Sequence, residues 1–363
     1  MRDSKTLIYL LLLSTFLLSM MALLVSAESG TSTNAKSSAL YNPDTKSFLY
    51  QNNADCRLPM ASTTKIVTAL IAIETLPLDE IITVPREAVG IEGSSLYLSV
   101  GDKLTVKDLI YGVLLQSAND AATVLALRIS GDIQAFAERR TERAIASGAT
   151  NTSFSNPHGL DDSEHFTTAH DLSLIAAEAL NNKVFKSIVS TYKYSFKIGE
   201  ETRTVVNHNK LLKSYDGCIG VKTGFTKKSG RCLVSAAERD GVMLVAVTLN
   251  DPDDWTDHKN MLNYGFKSLE SVDLSKLISI PDSIPSVSSD GARVSIALAK
   301  SNIVKSANDS LYYSVDLPSY IATDVKIGDK IGEVTVRIGD REETIDIIAI
   351  CDVKIKKNTR RFL

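Results

Sequence analysis

The chain has 363 residues, 44% of them hydrophobic and 23% charged, with a formal net charge of −3. That length allows two domains, with a core of ordinary size in at least one. The lack of a basic excess argues against a nucleic-acid binder. Four cysteines (Cys56, Cys218, Cys232 and Cys351) are too few for a disulfide scaffold, although Cys218 and Cys232 are close enough to share a hairpin.

The N-terminus carries Arg2 and Lys5, then an uncharged apolar run from Leu7 to Val25, then the small residues Ser26 and Ala27. Residues 1–27 therefore read as a secretory signal, with an uncleaved membrane anchor as the alternative. Either way the body of the chain is expected to be exported, to the cell envelope at the extracellular face of the cytoplasmic membrane. Residues 28–37 form a polar connector.

Residues 39–55 read as two strands around the turn at Asn42-Pro43-Asp44. A helix is expected over 60–76, and two more over 104–131 with a break near Gln116-Ser117. Amphipathic helices follow over 132–149, stopped by Gly148, and over 170–180, capped by Thr167 or Thr168. From about 186 the pattern turns to strands, with 218–226 and 230–250 pairing across Lys227-Lys228-Ser229, and a closing helix spans 257–271. Strands at both ends of a helical middle imply an α+β domain, an antiparallel sheet with helices packed on it, over about 38–275. The Pro- and Ser-rich stretch 279–291 reads as a linker or domain edge. Alternation of apolar and polar residues beyond it predicts a small all-β domain over 276–352, and a basic tail occupies 353–363.

The stretch PMASTTKIVTALIAIE (59–74) places Ser62 and Lys65 three apart on one helical face. Serine needs a nearby base to become a nucleophile, and a buried lysine beside another cation loses its proton readily. A helix N-terminus adds free N–H groups aimed at developing negative charge. The bland alternative is a capping hydroxyl and a solvated amine, since Ser-x-x-Lys recurs at Ser190–Lys193.

Two further triplets raise the weight of the first. Ser117-Ala118-Asn119 falls at the predicted helix break, and Lys222-Thr223-Gly224 lies on a predicted strand, 55 and then 105 residues further along. There a cation and a hydroxyl flank a glycine that allows close approach to the backbone.

This set resembles the penicillin-recognising serine acyltransferases, whose signature is S-x-x-K, S-D-N and K-T-G. More narrowly it resembles the low-molecular-mass D-alanyl-D-alanine carboxypeptidases, the penicillin-binding proteins. The likeness extends through GSSLYLSVGDKLTVKDLIYGVLLQSANDAA, NPHGLDD, DGCIGVKTGFT and NYGF and covers roughly residues 38–352. It implies a β-lactamase/transpeptidase-like fold with helices on both faces of the sheet, followed by the small all-β domain. It also implies that Ser62 attacks the penultimate D-Ala carbonyl of a peptidoglycan stem pentapeptide while Lys65 takes its proton. Ser117 and Lys222 would relay a proton to the departing D-alanine, and Asn119 would hold the peptide amide. Lys222 and Thr223 would bind the terminal carboxylate beside Gly224. The backbone N–H groups of Ser62 and Phe225 would form the oxyanion hole. β-Lactam antibiotics would acylate Ser62. No cofactor is implied, and no metal, since the five histidines contain no His-Glu-x-x-His.

Ala118 stands where the signature has Asp, a small change. The tail VKIKKNTRRFL has five cations and no useful apolar face, so it predicts at most peripheral attraction to a membrane surface. Three alternatives share the fold: a D,D-endopeptidase acting on cross-links, a β-lactamase, and a catalytically silent cell-wall-binding protein. A class A β-lactamase also needs a deacylating glutamate, and no Glu-x-x-Leu-Asn segment lies between the second and third motifs.

Overall fold

The computed structural model describes residues 30–288 and 290–356, so the segment read as a secretory signal and the end of the basic tail lie outside the described residues. The chain opens with strands β1 (Ser37–Asn42) and β2 (Ser47–Asn52), then a 3-10 turn (Ala61–Thr64) running into helix α1 (Lys65–Thr75). A small ribbon, β3 (Ile81–Thr83) with β4 (Lys103–Thr105), leads to α2 (Val106–Tyr111), a π turn (Gly112–Gln116) and α3 (Asn119–Ser130). Helices α4 (Ile133–Ala146), α5 (Ala169–Asn181) and α6 (Lys183–Val189) follow, then the hairpin β5 (Lys193–Ile198) and β6 (Glu201–Val206). After the short α7 (Leu211–Ser214) come β7 (Cys218–Thr226), β8 (Gly230–Arg239), β9 (Val242–Leu249) and α8 (Asp254–Ser268).

The central sheet is antiparallel, in the order β2-β1-β9-β8-β7. Its two faces follow from the period of two. Ala39, Tyr41, Val245 and Val247 join the large core shared with α1, α3 and α5, whereas Leu40, Leu244 and Ala246 turn to Met261 and Leu262 of α8. Helices thus cover both faces. The fold is α+β.

The remaining elements are β10 (Leu269–Asp273), α9 (Leu274–Leu277), β11 (Ser283–Pro285), β12 (Arg293–Leu298), β13 (Asn302–Ser306), β14 (Leu311–Asp316), β15 (Lys330–Ile338) and β16 (Arg341–Ala349). Five of them form a second sheet, β11-β12-β16-β15-β14, over its own apolar cluster around Val294, Val334 and Ile347.

Several details differ from the sequence reading. Residues 186–189 are helical: Asn182 accepts from the Val184 and Phe185 N–H groups, and Phe185, Ile188 and Val189 bury at helical spacing. Residues 269–271 leave the closing helix and pair, as β10, with β13. The Pro/Ser stretch contains β11, whose Ile284 is buried, and Leu274 already packs into the β-domain core. The segment 230–250 is two strands, folded at Asp240-Gly241. Cys218 faces Ala237 and Cys232 faces Gly224 across the β7–β8 ladder, and all four thiols are free. The start of the basic tail is tied down, because Val353 pairs with Val325 and Lys356 bridges Asp290.

His258 of α8 is wholly buried, with Nδ1 2.5 Å from the Ser235 hydroxyl and Nε2 3.1 Å from that of Thr248. Burial pulls its pKa down to about 3, so the fold favours the neutral ring. Its contribution is complete above the unfolded value of about 6.5 and fades as pH falls toward 3. The slope is about 1.4 kcal/mol per pH unit for one such group. Thermal scans between pH 7 and 4 should show a melting temperature that drops more steeply for wild type than for His258→Gln. The variant curve keeps some slope, because burial lowers His158 and His165 in the same direction. Parallel curves would contradict this.

Candidate active site

Ser62 sits in the 3-10 turn that opens α1, directly after Ala61, whose φ is +47°. A left-handed alanine costs on the order of 1–2 kcal/mol and is held here by its surroundings. Met60 is fully buried, and Gly159 (φ +95°) lies so close to the Ala61 carbonyl that any Cβ at 159 would collide with it. The strained entry raises Ser62 out of the helix, into a cavity of about 500 Å³.

Lys65 is the first residue of α1 and is 0% exposed, which removes the solvated-amine alternative. Its Nζ donates to Ser62 Oγ at 2.9 Å, to Asn119 Oδ1 at 2.6 Å and to the His158 carbonyl at 2.5 Å. Among the described residues it has no ion-pair partner. Burial drives its pKa well below the ordinary lysine value, the Lys222 and Arg140 cations push the same way, and Asp120 opposes them.

Ser117 ends the π turn in the left-handed region (φ +63°), which breaks the helix and lets Asn119 start α3. Asn119 Nδ2 donates to the Glu92 carbonyl at 2.5 Å. Both ends of this amide are therefore occupied inside the protein, so a substrate amide would have to exchange with one of them. Asp120, missed by the sequence reading, accepts from the Ser95 hydroxyl and from the N–H groups of Leu96 and Leu98. It pins the loop that brings Ser94 to the cavity.

The third triplet lies on β7, the edge strand of the sheet. Lys222 is 1% exposed and donates to the Thr223 carbonyl at 2.8 Å. Burial lowers its pKa to about 7. A Cβ on Gly224 would lie 3.0 Å from the Ser62 nitrogen and 3.1 Å from the Met60 carbonyl, so glycine lets the strand lie against the turn without a shift. Gly224→Ala should therefore push strand and turn apart by a few tenths of an ångström and slow acylation, by up to roughly 10²-fold. A rate equal to wild type would contradict that packing.

The geometry brings together Ser62, Lys65 and Asn119 by direct hydrogen bonds, and Ser62, Ser117, Thr223, Gly224 and Phe225 around one cavity. Lys65, Asn119 and Lys222 lie buried beneath it. Among the described residues the Ser117 hydroxyl has no hydrogen-bond partner, so its contact with Lys222 is not made here. Sequence reasoning also missed His208, Lys210 and Trp255 on the rim. Trp255 is the only tryptophan of the chain and was the one available signal. The carboxylate that lines the cavity is Asp254, and it is engaged by Arg231. Among the described residues no glutamate lines it.

Residues 24–253 match the family model described as D-alanyl-D-alanine carboxypeptidase, peptidase family S11. The chain belongs to this family. Among curated relatives of these carboxypeptidases, it is 35% identical over 219 residues to D-alanyl-D-alanine carboxypeptidase DacF of Bacillus subtilis. That alignment covers 59% of this chain but only 56% of the relative. It is also 35% identical over 246 residues to the D-alanyl-D-alanine carboxypeptidase of Streptomyces sp. strain K15, covering 62% of this chain and 84% of that one. The crystal structure of the carboxypeptidase DacD from Francisella tularensis superposes with a TM-score of 0.64 at 26% identity, covering 90% of this chain and 95% of that one. That coverage takes in the β domain as well as the carboxypeptidase body.

Proposed function

We propose that this protein is an exported serine carboxypeptidase that removes the terminal D-alanine from peptidoglycan stem pentapeptides through an acyl-enzyme on Ser62. The observation that carries the reading is the fully buried Lys65 amine, 2.9 Å from the Ser62 hydroxyl and free of any ion-pair partner among the described residues. Burial and the Lys222 and Arg140 cations pull that amine's pKa well down, which favours loss of its proton, and it is within reach of the proton that must move.

The stem peptide lies along the open edge of β7, where unpaired strand groups and the Lys222-Thr223 side chains meet an extended chain ending in a carboxylate. Ser62 Oγ attacks the penultimate D-Ala carbonyl as its proton passes to Lys65 Nζ. The backbone N–H groups of Ser62 and Phe225 hold the oxyanion, and one such donor is typically worth about 3 kcal/mol. The C–N bond then breaks, and Ser117, served by Lys222, delivers a proton to the departing D-alanine. Asn119 fixes Lys65. Water hydrolyses the ester and frees Ser62. Among the described residues the one carboxylate lining the cavity, Asp254, is tied to Arg231 and no glutamate lines it to activate that water against a penicilloyl ester, so β-lactams acylate the enzyme and leave slowly.

Export rests on the charged, then apolar, then small-residue N-terminus, and peripheral membrane contact on the cations of the tail. The test is incubation with a pentapeptide ending in D-Ala-D-Ala, with free D-alanine and the tetrapeptide quantified, beside a cross-linked muropeptide dimer. Stoichiometric D-alanine and tetrapeptide are expected. Cleavage of the dimer alone would assign the endopeptidase activity, and turnover of neither would overturn the reading.

A further inference from the structure

Behind the catalytic lysine lies a second buried cation that the chemistry above does not use. Arg140 of α4 is 0% exposed. Among the described residues no carboxylate is within ion-pair distance of it. Its Nη1 donates to the Thr68 hydroxyl at 2.9 Å, while Nε and Nη2 have no hydrogen-bond partner. The guanidinium instead lies against two aromatic rings, 4.2 Å from the Phe154 centroid and 5.5 Å from that of Phe136. An arginine buried without a counter-ion is expensive, and an apolar side chain of similar volume would fill the same space at lower cost.

The position of the charge suggests its use. Thr68, its one hydrogen-bond partner, follows Lys65 by three residues on the same face of α1, and donates in turn to the Pro157 carbonyl at 2.7 Å. The next carbonyl along, that of His158, accepts from Lys65. Both cations are thus fixed to adjacent peptide groups of one loop and adjacent turns of one helix, and both are fully buried from water. Removed from water, like charges repel strongly.

We propose that Arg140 is a positioning residue whose permanent positive charge holds Lys65 as the free amine that accepts the Ser62 proton. The charged and titratable groups facing Lys65 are Lys222 on β7, Arg140 on α4, Asp120 on α3, and His158 and His165 of the loop after α4. Burial keeps both imidazoles neutral, so two cations act against one carboxylate. Burial also pulls Arg140 down, to about 9, which leaves it charged at neutral pH. Lys222 titrates near 7 and loses its charge in the working range, whereas Arg140 does not.

The inference rests on Lys65 being the base in the proposed function. It is tested by the pH dependence of the acylation rate by a fluorescent penicillin in wild type, Arg140→Met, Arg140→Gln and Arg140→Lys. With the charge removed, the acid limb should move up by about one pH unit. Acylation below the limb then slows about tenfold and is unchanged well above it. Arg140→Lys, whose buried amine would itself lose its charge as Lys65 and Lys222 do, should move the limb in the same direction as the neutral variants, and Arg140→Met should melt no lower than wild type. An unmoved limb in a folded neutral variant, or a uniform loss at every pH, would overturn the proposal. So would failure of both neutral variants to fold, since the side chain would then serve the core alone. Absence of acylation in wild type would instead refute the function on which this rests.

Discussion

Replacing Ser62 by alanine is expected to abolish both D-alanine release and penicillin labelling, with turnover down by roughly 10⁴–10⁶-fold. The magnitude follows from what remains. Lys222, Thr223 and the strand edge would still bind the peptide, but the hydroxyl that forms the ester would be gone. The other hydroxyls of the three motifs that line the cavity are Ser117, on a left-handed residue, and Thr223 on β7, and among the described residues neither is hydrogen-bonded to Lys65. Neither is set up to substitute. The change itself is small, because Ser62 makes a single side-chain hydrogen bond and lies at the rim. Folding should be unaffected, which a melting curve would check. Residual turnover within tenfold of wild type would remove Ser62 from the mechanism.

The second large effect is at Lys65. Lys65→Met fills the same channel yet removes the base, and acylation is expected to fall by roughly 10²–10⁴-fold. It also leaves the Asn119 amide oxygen and the His158 carbonyl without their donor, so stability should drop by about 1–3 kcal/mol per group left unsatisfied. Lys65→Arg separates the two consequences. A guanidinium can still donate to both oxygens but does not give up its proton, so stability should recover while acylation does not. Acylation restored by arginine would show that the amine supplies charge rather than proton transfer.

The pairing of Ser62 with Lys65 was legible in the sequence because a three-residue separation on a helix is a geometric statement in itself. The antiparallel sheet with helices on it was legible from the element order. Its burial on both faces was implied only by the family resemblance, because Ala39, Leu40 and Tyr41 are all apolar and only the packing assigns them to opposite faces. The strained features were not legible. Nothing in ASTT marks Ala61 as left-handed; that conformation is imposed by Met60, Gly159 and Gly224, the last two about 100 residues or more away. The helix at 183–189 was hidden by Ile188 and Val189, which read as strand until the Asn182 cap is seen to override them. Strand β10 exists because β13 pairs with it, from Leu269 with Ser306 to Asp273 with Asn302, a contact distant in sequence. Arg140 looked like one more charge on an amphipathic helix, and only the packing of Phe136 and Phe154 around it shows otherwise.

Intact-mass analysis after exposure to a penicillin, followed by proteolytic mapping of the adduct, probes the chemistry at its first covalent step. One penicilloyl group per chain is expected, on the peptide containing Ser62, forming fastest at pH values where Lys65 is unprotonated. An adduct on any other residue, or none at all on the folded protein, would contradict the claim that this hydroxyl is the attacking group.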